Sequence, residues 1–449
     1  MKLFKTITAA ALILALLVSI AGCSASGQPG KNSPSPAPAQ TEAPSAPITA
    51  KPLSMPALKP AQPLPTPNYD AAGSTSNAGT GANDFAFRLS AALSKKGENM
   101  VVSPFSVWMT LTALANATGD KTLPSLLSSL GLSDMSVQDI NEAAARMLSS
   151  LTNAEGQDRY NPLAIANAVF VDKTVTLKPE FAQKFLDYYR GAAMSVDFSD
   201  PSAIEAINAW ASEHTNGLIT DIVKEMPRDA VAALANAIYF SDRWALEFDE
   251  TKTQDMTFHG TKGDAQVPFM LREGNAILYY EDEMLQAADL QFKTGAGLTI
   301  LLPKDGDADA LLQSLSAAQY STIMNGMTEQ TGKLLLPKFE LKSDFELKDT
   351  LTKLGVPLFD SNALPISDLI NEDDVYISSG LHQATIKVDE KGTTAAAVTV
   401  EIMSRTSLPA PTEPFSMVCD HPFVFVLHQW TPESGDQVLF TGVVNQLGQ

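Results

Sequence analysis

The side chains able to do chemistry are few in this chain. Among 449 residues it has two cysteines, Cys23 and Cys419, and five histidines, none with metal-ligand spacing to another. The sequence contains no G-x-S-x-G elbow, P-loop, H-E-x-x-H motif or Rossmann glycine fingerprint. Because these motifs are missing, we expect no catalytic centre or cofactor. Two cysteines form neither a disulfide scaffold nor a Cys/His zinc site, so we also expect no metal. The histidines are His214, His259, His382, His421 and His428.

One stretch, residues 389–414, has an unusual composition. It begins DEKGTTAAAVTVE and ends with three prolines among its last six residues. Gly392 lacks a Cβ and can serve as a hinge. Thr393 to Val400 would fit a central strand because small inward side chains clash with little, whereas the proline-rich exit cannot continue a ladder. Composition alone is also compatible with a plain surface loop.

The first 23 residues predict a lipoprotein signal peptide. Lys2 and Lys5 precede an apolar run from Ile7 to Ile20, which is short for a membrane span. Small residues before Cys23 resemble the lipobox of bacterial lipoproteins, where cleavage leaves a lipidated cysteine. Acyl chains on Cys23 would hold the protein at a membrane without a transmembrane helix, so we expect an extracytoplasmic, lipid-anchored protein that could also be released. The alternative is an ordinary secretory signal with an incidental cysteine.

Residues 24–82 predict a disordered tether. Twelve of the 28 prolines lie between Pro29 and Pro67, interleaved with Ser, Ala and Thr. Such a composition buries too little apolar surface to offset chain entropy, and the prolines favour extended conformations. We expect this segment to hold a folded domain away from the membrane.

The folded part is strongly acidic. The whole chain carries 31 basic and 51 acidic residues. Removing the five basic and two acidic residues of the signal and tether leaves a net charge of −23 for residues 83–449. A surface with this charge repels phosphate backbones, so we expect no nucleic-acid partner.

Residues 83–449 predict an α+β fold, because helices and strands do not alternate regularly. A helix follows Asn83-Asp84, with Phe85, Leu89 and Leu93 on one face. A capping box at 343–346 predicts a second helix with Leu347, Leu351 and Leu354 buried. The predicted strands are 166–171, 298–302 and 334–341, together with a C-terminal hairpin of 422–428 and 437–444.

Six ordered motifs in residues 83–449 resemble the serpins, the serine protease inhibitor family. Val388 to Ala397 resembles the serpin hinge. The other five are NMVVSPFS from Asn99, INAW from Ile207 with TNGLI from Thr215, NAIYFSDRWALEF from Asn236, HPFVF from His421 and FTGVVNQ from Phe440. The resemblance implies one α+β domain with three β-sheets, about nine helices and an exposed reactive-centre loop at about 390–414.

The resemblance also implies the activity. A serine protease attacks the loop as substrate and forms an acyl-enzyme, and the freed loop arm inserts as a new strand in the largest sheet. The trapped protease is distorted before water releases it, so the inhibitor is consumed and turns nothing over. We expect a monomer that acts on proteases in this way. The alternatives are a non-inhibitory serpin acting as a binding module and a solute-binding lipoprotein.

Individual residues receive roles from matching positions of the family. The resemblance assigns Ser103, Ser106, Asn236 and His382 to a polar cluster called the shutter, and Trp244 with Glu390 to the breach, where the sheet first opens. Members of the family pair that glutamate with a lysine, but an ungapped count places Gln291 there and leaves the ion pair open. The implied hinge residues are Glu390, Gly392, Thr393, Ala395, Ala396 and Ala397.

The scissile bond has two candidates. Counting from Glu390 favours Thr406-Ser407, and a loop one residue shorter gives Arg405-Thr406. Threonine before the bond suits elastase- or subtilisin-like proteases, whereas arginine suits trypsin-like ones. Glu401 departs from the small residues around it, because alternation from Thr393 turns it inward, where an unpaired carboxylate is costly. Either it lies near the bottom edge of the sheet or it slows insertion.

Overall fold

Nine α-helices lie in the part of the chain that this computed structural model describes. That part comprises residues 51–52, 77–152 and 163–448, with gaps at 216, 218, 227–230, 275–276, 360–365, 367, 372–376, 378–379, 394–413 and 432–434. The helices are α1 (Asn77–Leu93), α2 (Pro104–Leu114), α3 (Leu123–Ser129), α4 (Val137–Thr152), α5 (Pro179–Tyr189), α6 (Ser202–His214), α7 (Ala308–Ser314), α8 (Ala317–Gly326) and α9 (Lys348–Lys353). None of the helices in these ranges is long and apolar enough to cross a membrane.

The strands are numbered β1 to β19 in chain order. The first ten are β1 (Lys51–Pro52), β2 (Met100–Val102), β3 (Leu163–Asp172), β4 (Ala192–Val196), β5 (Ala232–Phe240), β6 (Asp242–Arg243), β7 (Gln254–Gly260), β8 (Gly263–Glu273), β9 (Ile277–Glu281) and β10 (Leu285–Gln291). The remainder are β11 (Ala296–Pro303), β12 (Thr328–Gln330), β13 (Gly332–Pro337), β14 (Phe339–Glu346), β15 (Leu381–Asp389), β16 (Gly392–Thr393), β17 (Phe415–Val418), β18 (Phe423–Thr431) and β19 (Gly435–Val444).

One sheet is seven-stranded and antiparallel, in the order β12-β9-β10-β11-β18-β19-β2. Every residue of β11 is buried, as is every residue of β18 except Trp430. Strands that are buried on both faces are mostly apolar rather than alternating, which is the pattern of β11 and of the first five residues of β18. The predicted C-terminal hairpin is confirmed as β18 and β19.

A second sheet is divided into two four-stranded ladders, β1-β4-β3-β5 and β14-β15-β16-β6. Only Ser241 separates β5 from β6, so one run of chain belongs to both halves. The neighbouring strands β5 and β15 share no ladder in the described residues. We call the line between β5 and β15 the seam. The third sheet has the order β17-β13-β8-β7, so the fold is an α+β arrangement of three sheets and nine helices in the described ranges.

Helix α6 lies on the outer face of the divided sheet. Strand alternation directs Val169 and Val171 of β3 into the main core, and Ala168 and Phe170 to the opposite face. That face forms a second, smaller core with α6, centred on Trp210. The helix is therefore attached to the half of the sheet that contains β3 and β5.

The structure corrects the predicted capping box, the predicted strand at 334–341 and the predicted bounds of the tether. The capping box predicted at Ser343–Glu346 is wrong, because those residues end β14 and α9 begins at Lys348. The strand predicted over 334–341 is two strands, β13 and β14, interrupted at Lys338. Helix α1 begins at Asn77, so the boundary predicted at residue 83 lies inside a helix. Within the predicted tether, β1 pairs antiparallel with β4. The other residues of the tether before Asn77 lie outside the described ranges.

Candidate functional site

The end of the seam nearest β6, which we call its upper end, contains two residues of the stretch 389–414 that the sequence singles out. Gly392 and Thr393 form β16, which lies between β15 and β6. On one side Thr393 pairs with Val388 and on the other with Asp242. The chain therefore turns back after β15 and places two residues as the beginning of a strand between the halves of the sheet.

Both residues of β16 suit this confined position. Gly392 has φ 145°, and a Cβ there would lie 2.0 Å from the backbone oxygen of Asp242, so no other residue fits without moving the backbone. The Thr393 side chain is buried, and its hydroxyl accepts a hydrogen bond from the Asp242 amide at 3.2 Å. The hydroxyl of Ser241 donates to the Thr393 carbonyl at 3.2 Å.

Residues 244–248, which we call the strap, hold the turn that precedes β16. The Trp244 amide donates to the Lys391 carbonyl and the Phe248 amide to the Glu390 carbonyl, both at 2.9 Å. The Trp244 indole Nε1 donates to the Asp389 carbonyl at 2.9 Å. The Trp244 ring is buried and stacks on Phe292, with centroids 4.2 Å apart. Three consecutive carbonyls of the turn are thus satisfied by one rigid segment.

Glu390 has an ion-pair partner that the sequence count does not find. Its Oε2 lies 2.8 Å from Lys338 Nζ, and its Oε1 accepts from the Thr253 hydroxyl at 2.8 Å. Burial raises the pKa of Glu390, but the bonds from Lys338 and Thr253 outweigh it, so the net pKa is lowered. The placement of Gln291 at the lysine position is wrong, since Gln291 donates to Asp289 instead. Lys338 immediately precedes β14, the strand that pairs with β15.

Lower on the seam, three of the predicted cluster residues lie together. The Ser103 amide donates to His382 Nε2 at 3.1 Å, and the Ser103 hydroxyl donates to the Leu439 carbonyl at 2.8 Å. Ser103 also caps α2 by accepting from the Ser106 amide at 3.4 Å. Because Nε2 accepts a hydrogen bond, His382 is neutral with its proton on Nδ1. Burial lowers its pKa to about 4.

Asn236 belongs to a neighbouring pair. Its Nδ2 donates to Asn167 Oδ1 at 2.7 Å, and Asn167 in turn donates to the Tyr189 carbonyl at 3.0 Å. Asn167 and Asn236 face each other across the β3–β5 ladder, a register that the sequence motifs do not reveal. Two buried oxygens, Ser106 Oγ and Asn236 Oδ1, have no hydrogen-bond partner in the described residues. This pocket of the seam is thus polar and incompletely satisfied.

Comparison with known proteins identifies the family. The family model "Serpin (serine protease inhibitor)" matches residues 80–447. The chain is a serpin. Serpins are in general protease inhibitors rather than enzymes, although the family also has non-inhibitory members.

This serpin is similar to proteins from distant organisms. It is 31% identical over 388 residues to an uncharacterised serpin-like protein of Thermococcus kodakarensis, covering 84% of this chain and 88% of that protein. It is 31% identical over 382 residues to Serpin-ZX of Hordeum vulgare, covering 80% of this chain and 94% of that protein. The crystal structure of the thermophilic serpin tengpin in its native state superposes with a TM-score of 0.76 at 25% identity, covering 89% of this chain and all of that one.

The remaining predicted site residues of this serpin lie outside the described residues. On the two sides of residues 394–413, β16 belongs to the divided sheet, and β17 pairs in parallel with β13 in the third sheet. The predicted residues outside the described ranges are Cys23, Ala395, Ala396, Ala397, Glu401, Arg405, Thr406 and Ser407.

Proposed function

We propose that this serpin is a suicide-substrate inhibitor of serine proteases that traps the acyl-enzyme by inserting its loop into the seam. The observation that carries the proposal is β16, a two-residue strand already paired between β15 and β6 above a seam without a ladder. After cleavage, the loop arm continues downward from Thr393 between β5 and β15. Its backbone then forms hydrogen bonds that the facing edges of those strands lack.

The displacement of the protease follows from the length of the inserted arm. Thr393 to Thr406 would form a strand of roughly 45 Å at about 3.3 Å per residue. The protease is attached to the end of the arm through its acyl bond and is carried this distance. Distortion of its catalytic residues then prevents water from completing hydrolysis.

A panel of serine proteases tests the proposal directly. We expect at least one to form a complex with the protein that survives SDS, together with release of a C-terminal fragment. Elastase- and subtilisin-like enzymes are the favoured targets and trypsin-like enzymes the alternative. Cleavage of the loop by every protease without a stable complex would contradict inhibition and favour the non-inhibitory binding module.

The hinge offers a matched pair of variants. Thr393→Arg would place a charge at a buried position, which blocks insertion more than it blocks cleavage. We expect this variant to be cleaved as substrate without forming a complex. Thr393→Ser keeps the hydroxyl that accepts from Asp242 and should still form complex. Undiminished complex from Thr393→Arg would overturn the insertion mechanism.

The bond that is cut decides the class of protease. If the bond is Thr406-Ser407, Arg405→Ala leaves elastase-class inhibition largely intact and Thr406→Arg shifts the target toward trypsin-like enzymes. If it is Arg405-Thr406, Arg405→Ala abolishes inhibition of a trypsin-like target. Mass spectrometry of the C-terminal fragment separates them, since a fragment that begins at Ser407 supports the favoured bond and one that begins at Thr406 the other.

We further propose that lipid on Cys23 anchors the protein outside the cytoplasm. The support is the sequence before Cys23. Cys23→Ala should abolish labelling with fatty acid and release the protein from membranes. A variant that still labels and sediments with membranes as the wild type does would refute the anchor without affecting the inhibitor proposal.

A further inference from the structure

The segment after α6, residues 219–226, is attached to the β5 half of the divided sheet. Asn208 of α6 bonds Val223 twice, through Nδ2 to the carbonyl at 2.8 Å and through Oδ1 from the amide at 2.9 Å. Ile219, Ile222 and Val223 also belong to the small core that α6 forms with β3, β4 and β5. This segment therefore moves with α6 and its half of the sheet.

The same segment makes two ion pairs with the other half. Lys342 Nζ of β14 lies 2.9 Å from Asp221 Oδ1, and Lys224 Nζ lies 3.2 Å from Asp344 Oδ2 of the same strand. In the first pair the segment supplies the acid and β14 the base, and in the second pair the segment supplies the base and β14 the acid. Hydrogen bonding to Lys342, the largest influence, holds the pKa of Asp221 below its ordinary value.

A buried amide joins the two pairs. Gln383 of β15 donates through Nε2 to Asp221 Oδ1 at 3.4 Å and to Asp344 Oδ1. Its exposed fraction is only 2%, so it has little freedom to turn elsewhere. In the β14–β15 register, Asp344 faces Gln383 and Lys342 faces Thr385; one rung separates these two, so the contacts lie on one face of the sheet.

We propose that Asp221, Lys224, Lys342 and Asp344, joined by Gln383, form an ionic latch across the seam that sets the rate of loop insertion. This proposal rests on the insertion mechanism proposed above. The four charged side chains are 44–66% exposed, and a single exposed pair contributes little to folding. Separation of β5 from β15 breaks both pairs together, however. The pairs therefore raise the free energy needed to open the seam, and they do not stabilise either half of the sheet by itself.

Peptide incorporation into the intact protein tests the latch without a protease. The probe is a synthetic peptide with the sequence of residues 393–406, and its uptake is followed by native gel electrophoresis and by the rise in melting temperature. We expect Asp221→Asn and Lys342→Gln each to take up the peptide about fivefold faster than wild type. We also expect wild-type uptake to accelerate between about 50 and 500 mM NaCl, and the variants to lose much of this salt dependence.

A neighbouring pair provides the control. Lys387 and Glu340 form an exposed ion pair at 4.0 Å between β15 and β14, on one side of the seam. Lys387→Gln should therefore leave the uptake rate and its salt dependence at the wild-type values. Variants of Asp221 and Lys342 that take up peptide at the wild-type rate would overturn the latch.

The latch and the proposed function fail in different ways. A wild type that takes up no peptide and forms no complex with any protease contradicts insertion itself. A wild type that takes up peptide at a rate and salt dependence shared by all three variants contradicts only the latch.

Discussion

The seven-stranded sheet and the divided sheet differ in how completely their neighbouring strands are hydrogen-bonded. In the seven-stranded sheet each strand is paired with its neighbours, and β11 is buried along its whole length. In the divided sheet, β5 and β15 share no ladder in the described residues; His382 of β15 accepts from the N-cap of α2, and Asn236 of β5 donates to Asn167 of β3. The first region is fully paired, whereas the second contains the unpaired seam on which the proposed insertion depends.

Two buried histidines express the same contrast. His382 at the seam is neutral, since it accepts a backbone hydrogen bond and burial lowers its pKa to about 4. His428 of β18 contacts Asp289 at 3.0 Å and Asp436 at 3.2 Å. Burial lowers the pKa of His428, but the Asp289 carboxylate outweighs it and raises the pKa to about 10. His382 is thus neutral at the seam, whereas His428 is charged in the seven-stranded sheet.

The largest effect is expected in the seven-stranded sheet. A Cβ at Gly442 would lie 2.3 Å from the Phe425 ring and 2.5 Å from the Met100 carbonyl, inside a buried ladder. We expect Gly442→Ala to lower the free energy of unfolding by about 3 kcal/mol or more, since ring and backbone must both move. Urea unfolding measures it. A loss below about 1 kcal/mol would show that this sheet is more yielding than its packing indicates.

The next effect is a pair of pH dependences with opposite signs. The folded pKa of His382 lies below its ordinary value of 6.5, so its contribution is present above pH 6.5 and is lost as the pH falls toward 4. The loss amounts to about 3 kcal/mol. The folded pKa of His428 is raised, so its contribution is present below pH 6.5 and is lost as the pH rises through about 10.

Unfolding curves of single variants separate the two histidines. His382→Gln should weaken the fall in the free energy of unfolding at acid pH relative to wild type. His428→Gln should weaken the fall at alkaline pH. If His382→Gln changes the fall at alkaline pH instead, the contrast between the two regions is wrong.

A smaller effect is expected from the ion pair at the top of the seam. Lys338→Met leaves Glu390, only 7% exposed, with Thr253 alone, and we expect a cost of about 1–2 kcal/mol. Hydrogen exchange of the Trp244 and Phe248 amides should accelerate, because both donate into the turn that contains Glu390. Lys304→Met is the control, since it removes an exposed pair with Glu281 in the seven-stranded sheet and should cost under about 0.5 kcal/mol. Equal effects would contradict a special role for the seam.

The smallest change in stability should accompany the largest change in function. Gly392→Ala collides with the Asp242 carbonyl and should displace β16, which has only two residues, at a cost of about 1 kcal/mol. We expect normal folding but loss of stable protease complex. Gly263→Ala is matched in backbone strain, with φ 125° but nothing within 4 Å of its Cβ, and should inhibit normally. Normal inhibition by Gly392→Ala would show that the paired position of β16 is not needed for inhibition.

Local patterns predict the apolar strands well and the polar ones poorly. The predicted strands at 166–171 and 298–302 are confirmed within β3 and β11, since short, mostly apolar runs rich in β-branched residues are typical of buried strands. The capping box fails because Ser343–Glu346 belongs to an alternating sequence, in which Phe339 and Leu341 are buried and Glu340 and Lys342 are exposed. Period-two alternation is the stronger signal there.

The partners in the candidate site are set by strand register, which no local pattern contains. Glu390 meets Lys338 because β14 pairs with β15, and Asn236 meets Asn167 because β5 pairs with β3. Counting along the chain cannot supply either pair, since their members are 52 and 69 residues apart. The motifs locate the individual residues, and the folded ladders determine their partners.

The position of the C-terminal hairpin has a consequence for folding during synthesis. Strands β18 and β19 are synthesised after every other described strand, yet they lie inside the seven-stranded sheet, between β11 and β2. Val443 pairs with Met100, a residue synthesised more than three hundred residues earlier. Because a sheet cannot close before its inner strands exist, the seven-stranded sheet stays open until both strands have been synthesised. A truncated chain that lacks β19 should therefore be unfolded rather than partly active.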